Sequence, residues 1–246
     1  MRHYVVISDL QIPFNDKTAT RNLKNFIAKY KPDGVLCVGD EADLHGLSRW
    51  AQGTPAEYER TLGADRDEVV ETLYDLKVDH LVRSNHGDRL YNSIMKRVPN
   101  LLGAPELEYS RFFRHAEIGV TYHTKPYKIP DTDWIMVHGD EQAINSNGGL
   151  TALGASRRHG KSVVCGHTHR LGISSFSEAS GGSIGRILTG FEVGHLMNER
   201  EAGYTKGTMN WQKGFGILYV HRGHVNPVPV FVEKDGSFVV EGKRFG

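Results

Sequence analysis

The sequence predicts an α/β protein in which two sheets pack as a sandwich, with helices on the outer faces and a ligand-rich site at one sheet edge. Three observations carry this. Strand-like and helix-like stretches alternate up to residue 169, a meander of strands follows, and five early apolar runs each end on a residue able to bind a metal. The 246 residues suffice for a substantial core. With no internal repeat and no linker composition, one domain over 1–246 is expected. Its ligand-bearing α/β core would span 1–169, with a rim loop and completing strands over 170–246.

Taken in order, Tyr4-Val5-Val6-Ile7-Ser8 runs into Asp9, with Gln11 two residues on. Asn15 or Asp16 can cap a helix whose Ala19, Leu23, Phe26, Ile27 and Tyr30 share one face, and Lys31-Pro32-Asp33-Gly34 stops it. Val35-Leu36-Cys37-Val38-Gly39 leads to Asp40. Thr54-Pro55-Ala56-Glu57 reads as a capping box opening a long helical stretch through Leu62, Val69 and Leu73. Leu81-Val82-Arg83-Ser84 leads to Asn85-His86, and a short helix follows Asp88 and stops before Pro99. Trp134-Ile135-Met136-Val137 leads to His138, residues 149–159 read as a helix ended by Gly160, and Ser162-Val163-Val164-Cys165-Gly166 leads to His167-Thr168-His169. The Gly- and Ser-rich stretch 172–185 reads as a long loop or rim. Strands at 215–220, 225–232 and 238–240 then form a meander expected to complete a second sheet, with Asp235-Gly236 as the turn between the last two.

Ligands of open α/β sheets gather outside the carboxyl ends of the strands. If these strands share a sheet, Asp9, Gln11, Asp40, Asn85, His138, His167 and His169 converge on one edge. Seven oxygen and nitrogen donors are too many for one ion and suit two. Mixed oxygen and imidazole donors without thiolate fit Mn²⁺, Fe, Co, Ni or Zn better than Ca²⁺, and two divalent transition-metal ions, with Mn first, are the expected cofactors.

Composition narrows the partners. A net charge of +1 supplies no global field toward nucleic acid or membranes, although a local basic groove stays possible. No apolar run approaches membrane-spanning length and no signal-like segment opens the chain, so a cytoplasmic location without membrane contact is expected. Cys37 and Cys165 lie inside buried strands and read as small apolar fillers. Arg157-Arg158-His159 most simply complements a helix C-terminus, and Arg83, inside an expected buried strand, is odd there and reads most simply as a strand end reaching solvent.

The order Asp-x-Gln, Gly-Asp-x-x-Asp, Asn-His, a lone His and Gly-His-x-His, over residues 9–169, resembles the calcineurin-like metallophosphoesterase family, in its compact single-domain bacterial and phage type. The resemblance implies an αββα sandwich and a metal-dependent phosphoric ester hydrolase, most simply a phosphodiesterase acting on nucleotides or cyclic nucleotides through a metal-bridging hydroxide. It implies one ion on Asp9, Gln11, Asp40 and His169, and another on Asp40, Asn85, His138 and His167, with Asp40 as the shared bridge. His86 would protonate the leaving oxygen and Asp43 would orient it. Arg170 is a candidate for substrate phosphate, and His45 and His195 for the pocket wall.

Departures from the family pattern narrow this further. Gln11 stands where most members have His, so the first site should hold its ion more weakly. Gly87 replaces the usual acidic residue, with Asp88 one place later. Leu44 replaces the Arg of protein Ser/Thr phosphatases, and Asp43 the Tyr of purple acid phosphatases. Two other functions compete. A nuclease on single-stranded ends would need a basic, aromatic-lined groove, for which Arg49-Trp50, Tyr58, Arg89 and Lys96-Arg97 are scattered candidates. A catalytically weakened binding scaffold is opposed by the presence of His86 and Asp43 and weakly favoured by Gln11. Rim loops at 44–60 and 171–213 would set substrate choice.

Overall fold

The computed structural model describes residues 1–202 and 209–246; part of the expected rim, residues 203–208, lies outside them. Four layers stack as helix, sheet, sheet, helix. In β1 (Arg2–Ile7) successive side chains face opposite ways. Val5 and Ile7 pack with Leu23, Phe26 and Ile27 of α1 (Lys17–Tyr30), while Tyr4 and Val6 join the core between the sheets. The Asp16 side chain caps α1, accepting from the Thr18 and Ala19 amides, and Lys31 ends it in the left-handed conformation.

The first sheet continues through β2 (Gly34–Cys37), α2 (Leu62–Asp75), β3 (His80–Val82), α3 (Asp88–Arg97), the one-turn α4 (Tyr109–Phe112) and β4 (Thr121–His123). The second is built from β5 (Tyr127–Lys128), β6 (Trp134–Met136), α5 (Leu150–His159), β7 (Ser162–Cys165), β8 (Leu171–Ser180) and β9 (Ser183–Val193). Its outer face seats α5, where Ile135, Val137, Val163 and Cys165 meet Ala152 and Ala155. Between the sheets, Tyr4, Val6, Leu36 and Val38 pack against Trp134, Met136, Val164 and Phe191. The chain closes with β10 (Gly214–His221), β11 (His224–Phe231), β12 (Phe238–Val240) and β13 (Lys243–Phe245). No helix among the described residues is long and apolar enough to cross a membrane.

The two-sheet sandwich expected from sequence is present, and four local expectations are corrected. The ligand-bearing strands divide between two sheets: β1, β2 and β3 lie parallel in one, and β6 and β7 parallel in the other. Residues 172–185 form a hairpin, β8 and β9 pairing antiparallel around Gly181 and Gly182, both at positive φ. Its Ser- and Gly-rich strands are largely solvent-facing, which hides their periodicity. The meander adds β10 and β11 to the first sheet beside β1, in the order β11-β10-β1-β2-β3-β4. Pro55–Glu57 makes only a 3₁₀ turn, and Thr61 caps α2 instead, accepting from the Ala64 amide.

Candidate metal centre

The strands that carry ligands end in sharply turned backbone. Asp9, Gln11, Asp40, His167 and His169 have φ of 49°, 49°, 51°, 67° and 57°, a left-handed region that residues bearing a Cβ use sparingly. Such backbone persists only where the surroundings impose it, and it gathers at functional sites. Two glycines let the sheets approach here. A Cβ on Gly166 would stand 1.7 Å from Ser8 Oγ and 2.5 Å from Asp9 Oδ2. One on Gly39 would stand 2.7 Å from Ser84 Cβ and 2.8 Å from His138 Nδ1.

One group of donors is tightly assembled. Asp40, His138 and His167 each offer a ligand atom within 4.8 Å of the others. His138 Nδ1 donates to the Val38 carbonyl at 2.8 Å, which turns Nε2 toward Asn85 Oδ1 at 2.8 Å and Asp40 Oδ2 at 3.3 Å. Both of those atoms are acceptors, so without a metal the ring must carry a second proton. Burial pushes the imidazole pKa down, but Asp40 outweighs it and raises it to about 9. Burial likewise pushes Asp40 up, yet His138 and His86 hold it well below the usual carboxylate range. A proton held between an imidazole, an amide oxygen and a carboxylate stands where a divalent cation fits.

The second group is less satisfied. Asp9 Oδ2 accepts from Ser8 Oγ and from the His167 amide at 2.9 Å. Its Oδ1 lies 3.2 Å from His169 Nε2 without a hydrogen-bond partner. Gln11 Nε2 is 3.0 Å from the same imidazole nitrogen, and Gln11 Oε1 is buried without a donor. Burial raises the Asp9 pKa and His169 lowers it, with a net shift downward. Buried acceptors without donors are costly, and a cation between them removes that cost, so the donor set fits a metal in both groups.

His86 closes one side. Its amide donates to Asp40 Oδ1 at 3.1 Å, its Nε2 lies 3.8 Å from Asp40 Oδ2, and its Nδ1 lies 3.3 Å from Asp43 Oδ2. Burial lowers the His86 pKa, but Asp40 and Asp43 outweigh it and the net shift is upward. Arg89, from α3, donates Nη1 to Asp43 Oδ1 at 2.9 Å and Nη2 to His86 Nε2 at 3.0 Å. Leu44 is fully buried in the outer core, so the guanidinium at this corner comes from another element. His45 stands 3.7 Å from Asp43.

Two positioning residues escape a linear reading. Glu192, fully buried on β9, accepts from the Thr151 and Ala152 amides at the start of α5 and from Thr168 Oγ1 at 2.8 Å. It thereby anchors the residue between His167 and His169 to a helix N-terminus. Arg83 pairs with Asp88 and, at 2.9 Å, with Asp140, tying the end of β3 to the turn after His138. Arg83 stands one residue beyond β3 with its side chain 39% exposed, so the strand end reaches solvent there, and the shifted acidic residue at 88 has its partner. His195 stacks on His169 at 5.0 Å, and Trp211 lies 4.2 Å from His169. Arg170 Nε is buried without a hydrogen-bond partner, and among the described residues no hydrogen bond or ion pair links its side chain to the ligands.

The Gene 54 protein of Mycobacterium phage D29 is 35% identical over 98% of this chain and 97% of its own length. The Gene 54 protein of Mycobacterium phage L5 is 34% identical over 98% of each. No protein-family model matches the chain. Among solved structures, the zinc complex of Vps29 from Entamoeba histolytica is similar in chain course, with a TM-score of 0.48 at 14% identity over 98% of this chain and 95% of that one. The chain therefore belongs to the family of the mycobacteriophage Gene 54 proteins, and its candidate donors gather where the two sheets meet.

Proposed function

We propose that the protein is a dinuclear metal-dependent phosphodiesterase acting on nucleotides or cyclic nucleotides. The observation that carries this reading is the adjacency of the two donor groups, the His167 amide donating to Asp9 Oδ2 and the Gln11 amide to the Asp40 carbonyl, with His86 and Asp43 beside Asp40. One ion would be held by Asp9, Gln11, Asp40 and His169, and the other by Asp40, Asn85, His138 and His167. Two divalent ions, Mn²⁺ first among the metals this donor set suits, would supply positive charge to the phosphodiester and acidify a water.

The chain's own part is to move a proton. His86, raised in pKa by Asp40 and Asp43 against its burial, would protonate the leaving oxygen. Arg89 Nη2 faces the same Nε2 and must leave it for that transfer. A phosphate oxygen is the partner a guanidinium takes in exchange. While Nε2 accepts from Arg89 it carries no proton, so once Arg89 turns to the phosphate the ring would take a proton from solvent at Nε2 and then pass it to the leaving oxygen.

His86→Ala should cost about 10²–10⁴-fold in rate on 2′,3′-cyclic AMP, whose ribose alkoxide leaves poorly. It should cost much less on bis-p-nitrophenyl phosphate, whose p-nitrophenolate scarcely needs a proton. Equal losses on the two substrates would make His86 a phosphate-binding residue, and undiminished activity on both would remove it from the mechanism.

A further inference from the structure

We infer that the polar face of α3, together with Trp50, is a groove that binds single-stranded nucleic acid and leads it to the metal centre. This rests on the phosphodiesterase reading above for what happens at the groove's inner end, though not for binding itself.

The cavity beside α3 has a volume of about 590 Å³ and reaches Asn85 at its inner end. One helical stripe lines it. Arg89, Asn92, Ser93, Lys96 and Arg97 follow one another at spacings of three, one, three and one, so they share a face. The opposite face buries Leu90 and packs Ile94 on the core. Across the cavity, Arg49 and Trp50 complete the wall. Trp50 is 75% exposed, and the Arg49 guanidinium lies over its ring at 4.7 Å from the centroid.

Four cations and no carboxylate line this wall in a chain whose net charge is only +1. Arg89 is engaged by Asp43, and Arg97 pairs with Glu57 just outside the lining. Lys96 is exposed, and no ion pair engages it among the described residues. From Arg89 to Lys96 the helix rises about 11 Å, close to three stacked nucleotides at about 3.4 Å each. A mononucleotide would occupy only the end near Asn85, leaving Lys96, Arg49 and Trp50 without a role. An exposed indole beside a backbone-tracking row of cations is the pairing that holds unpaired strands, because every base offers a face to stack. A duplex hides those faces, which selects the single strand.

The test is fluorescence anisotropy of a labelled twelve-nucleotide single strand with the full chain, in chelator so that no turnover intervenes. Wild-type protein should bind the strand more tightly than a duplex of the same sequence or a mononucleotide competitor. Trp50→Ala should weaken binding roughly five- to a hundredfold. Lys96→Glu should weaken it too and flatten the dependence on log salt by about one. Both side chains are exposed, and thermal melts of the variants monitor the fold. Strand affinity no better than that of a mononucleotide, or unchanged by both substitutions, would overturn the inference. Turnover of bis-p-nitrophenyl phosphate is assayed separately: its absence beside intact strand binding would sink the hydrolase reading alone, and its presence without strand binding would sink the groove alone.

Discussion

The two donor groups of the candidate metal centre are built from similar residue types but prepared very differently. Around His138 two of the donors are aimed by bonds to the frame. The Val38 carbonyl fixes the ring, and the His86 amide holds Asp40 Oδ1. Around Asp9, the carboxylate is fixed on one oxygen only, and Gln11 offers a neutral amide whose oxygen lacks a donor. The first half has three side chains with titratable donors within 4.8 Å of one another. The second relies on Gln11, a weaker donor for late transition metals than an imidazole. Preorganisation and donor strength thus favour the same half, and the two ions should bind with unequal affinity.

The largest break in that comparison should come from Asp40→Ala, which removes the carboxylate proposed above to serve both halves. Metal analysis after gel filtration should find neither ion retained, and diesterase turnover should fall to background. Retention of one full equivalent would show that the halves do not share Asp40.

Protons sharpen the contrast next. His138 has a pKa raised to about 9 in the metal-free protein, and a ligating imidazole must be neutral. Below pH 9, acidification therefore protonates a ligand, and affinity of the tight half should fall toward about tenfold per pH unit. Calorimetric titration with Mn²⁺ at pH 7 in buffers of different ionisation heat should show about one proton released in the tight step. The same sign governs folding. Because the folded-state pKa lies above the unfolded value, His138 stabilises metal-free protein below about pH 6.5, and that contribution is lost as pH rises through 9. Proton release confined to the weak step would reverse the assignment of halves.

The smallest effect should come from Gln11→His. A second imidazole in the Asp9 half should tighten the weaker binding step on the order of tenfold, about 1.4 kcal/mol, and leave the tight step where it was. Movement of the tight step instead would place Gln11 in the other half.

Most of the candidate metal centre is readable from the chain because its information is local. An apolar run that stops on Asp or His is visible within ten residues, and Asp9, Asp40, His138 and His167 each announce themselves in this way. The features that were not readable depend on pairings made only in three dimensions. Glu192 looks like one polar residue within a strand until α5 is set above it. Arg83 is anomalous until Asp88 and Asp140 close on it. The hairpin over 171–193 was hidden by composition, although Gly181-Gly182 between two long segments is a turn signal that could have located it. The stripe from Arg89 to Arg97 is present in the helical spacing, but nothing in the linear order brings Trp50 to it. The division of the ligand strands between two sheets was also out of reach, since period and apolarity say that a strand is buried and not which sheet it joins.

The place of β1 in its sheet has a consequence for how the molecule is made. On one side β1 pairs with β2, roughly thirty residues away, and on the other with β10, where Val6 faces Gly216 across more than two hundred. All seven candidate ligands leave the ribosome before β10 does. For most of synthesis, then, the strand that aims Asp9 has an open flank, and a nascent chain holding the whole ligand set still has an unfinished wall behind it. Closing that wall is a long-range event, entropically slow, and it falls to a segment that contributes no ligand at all.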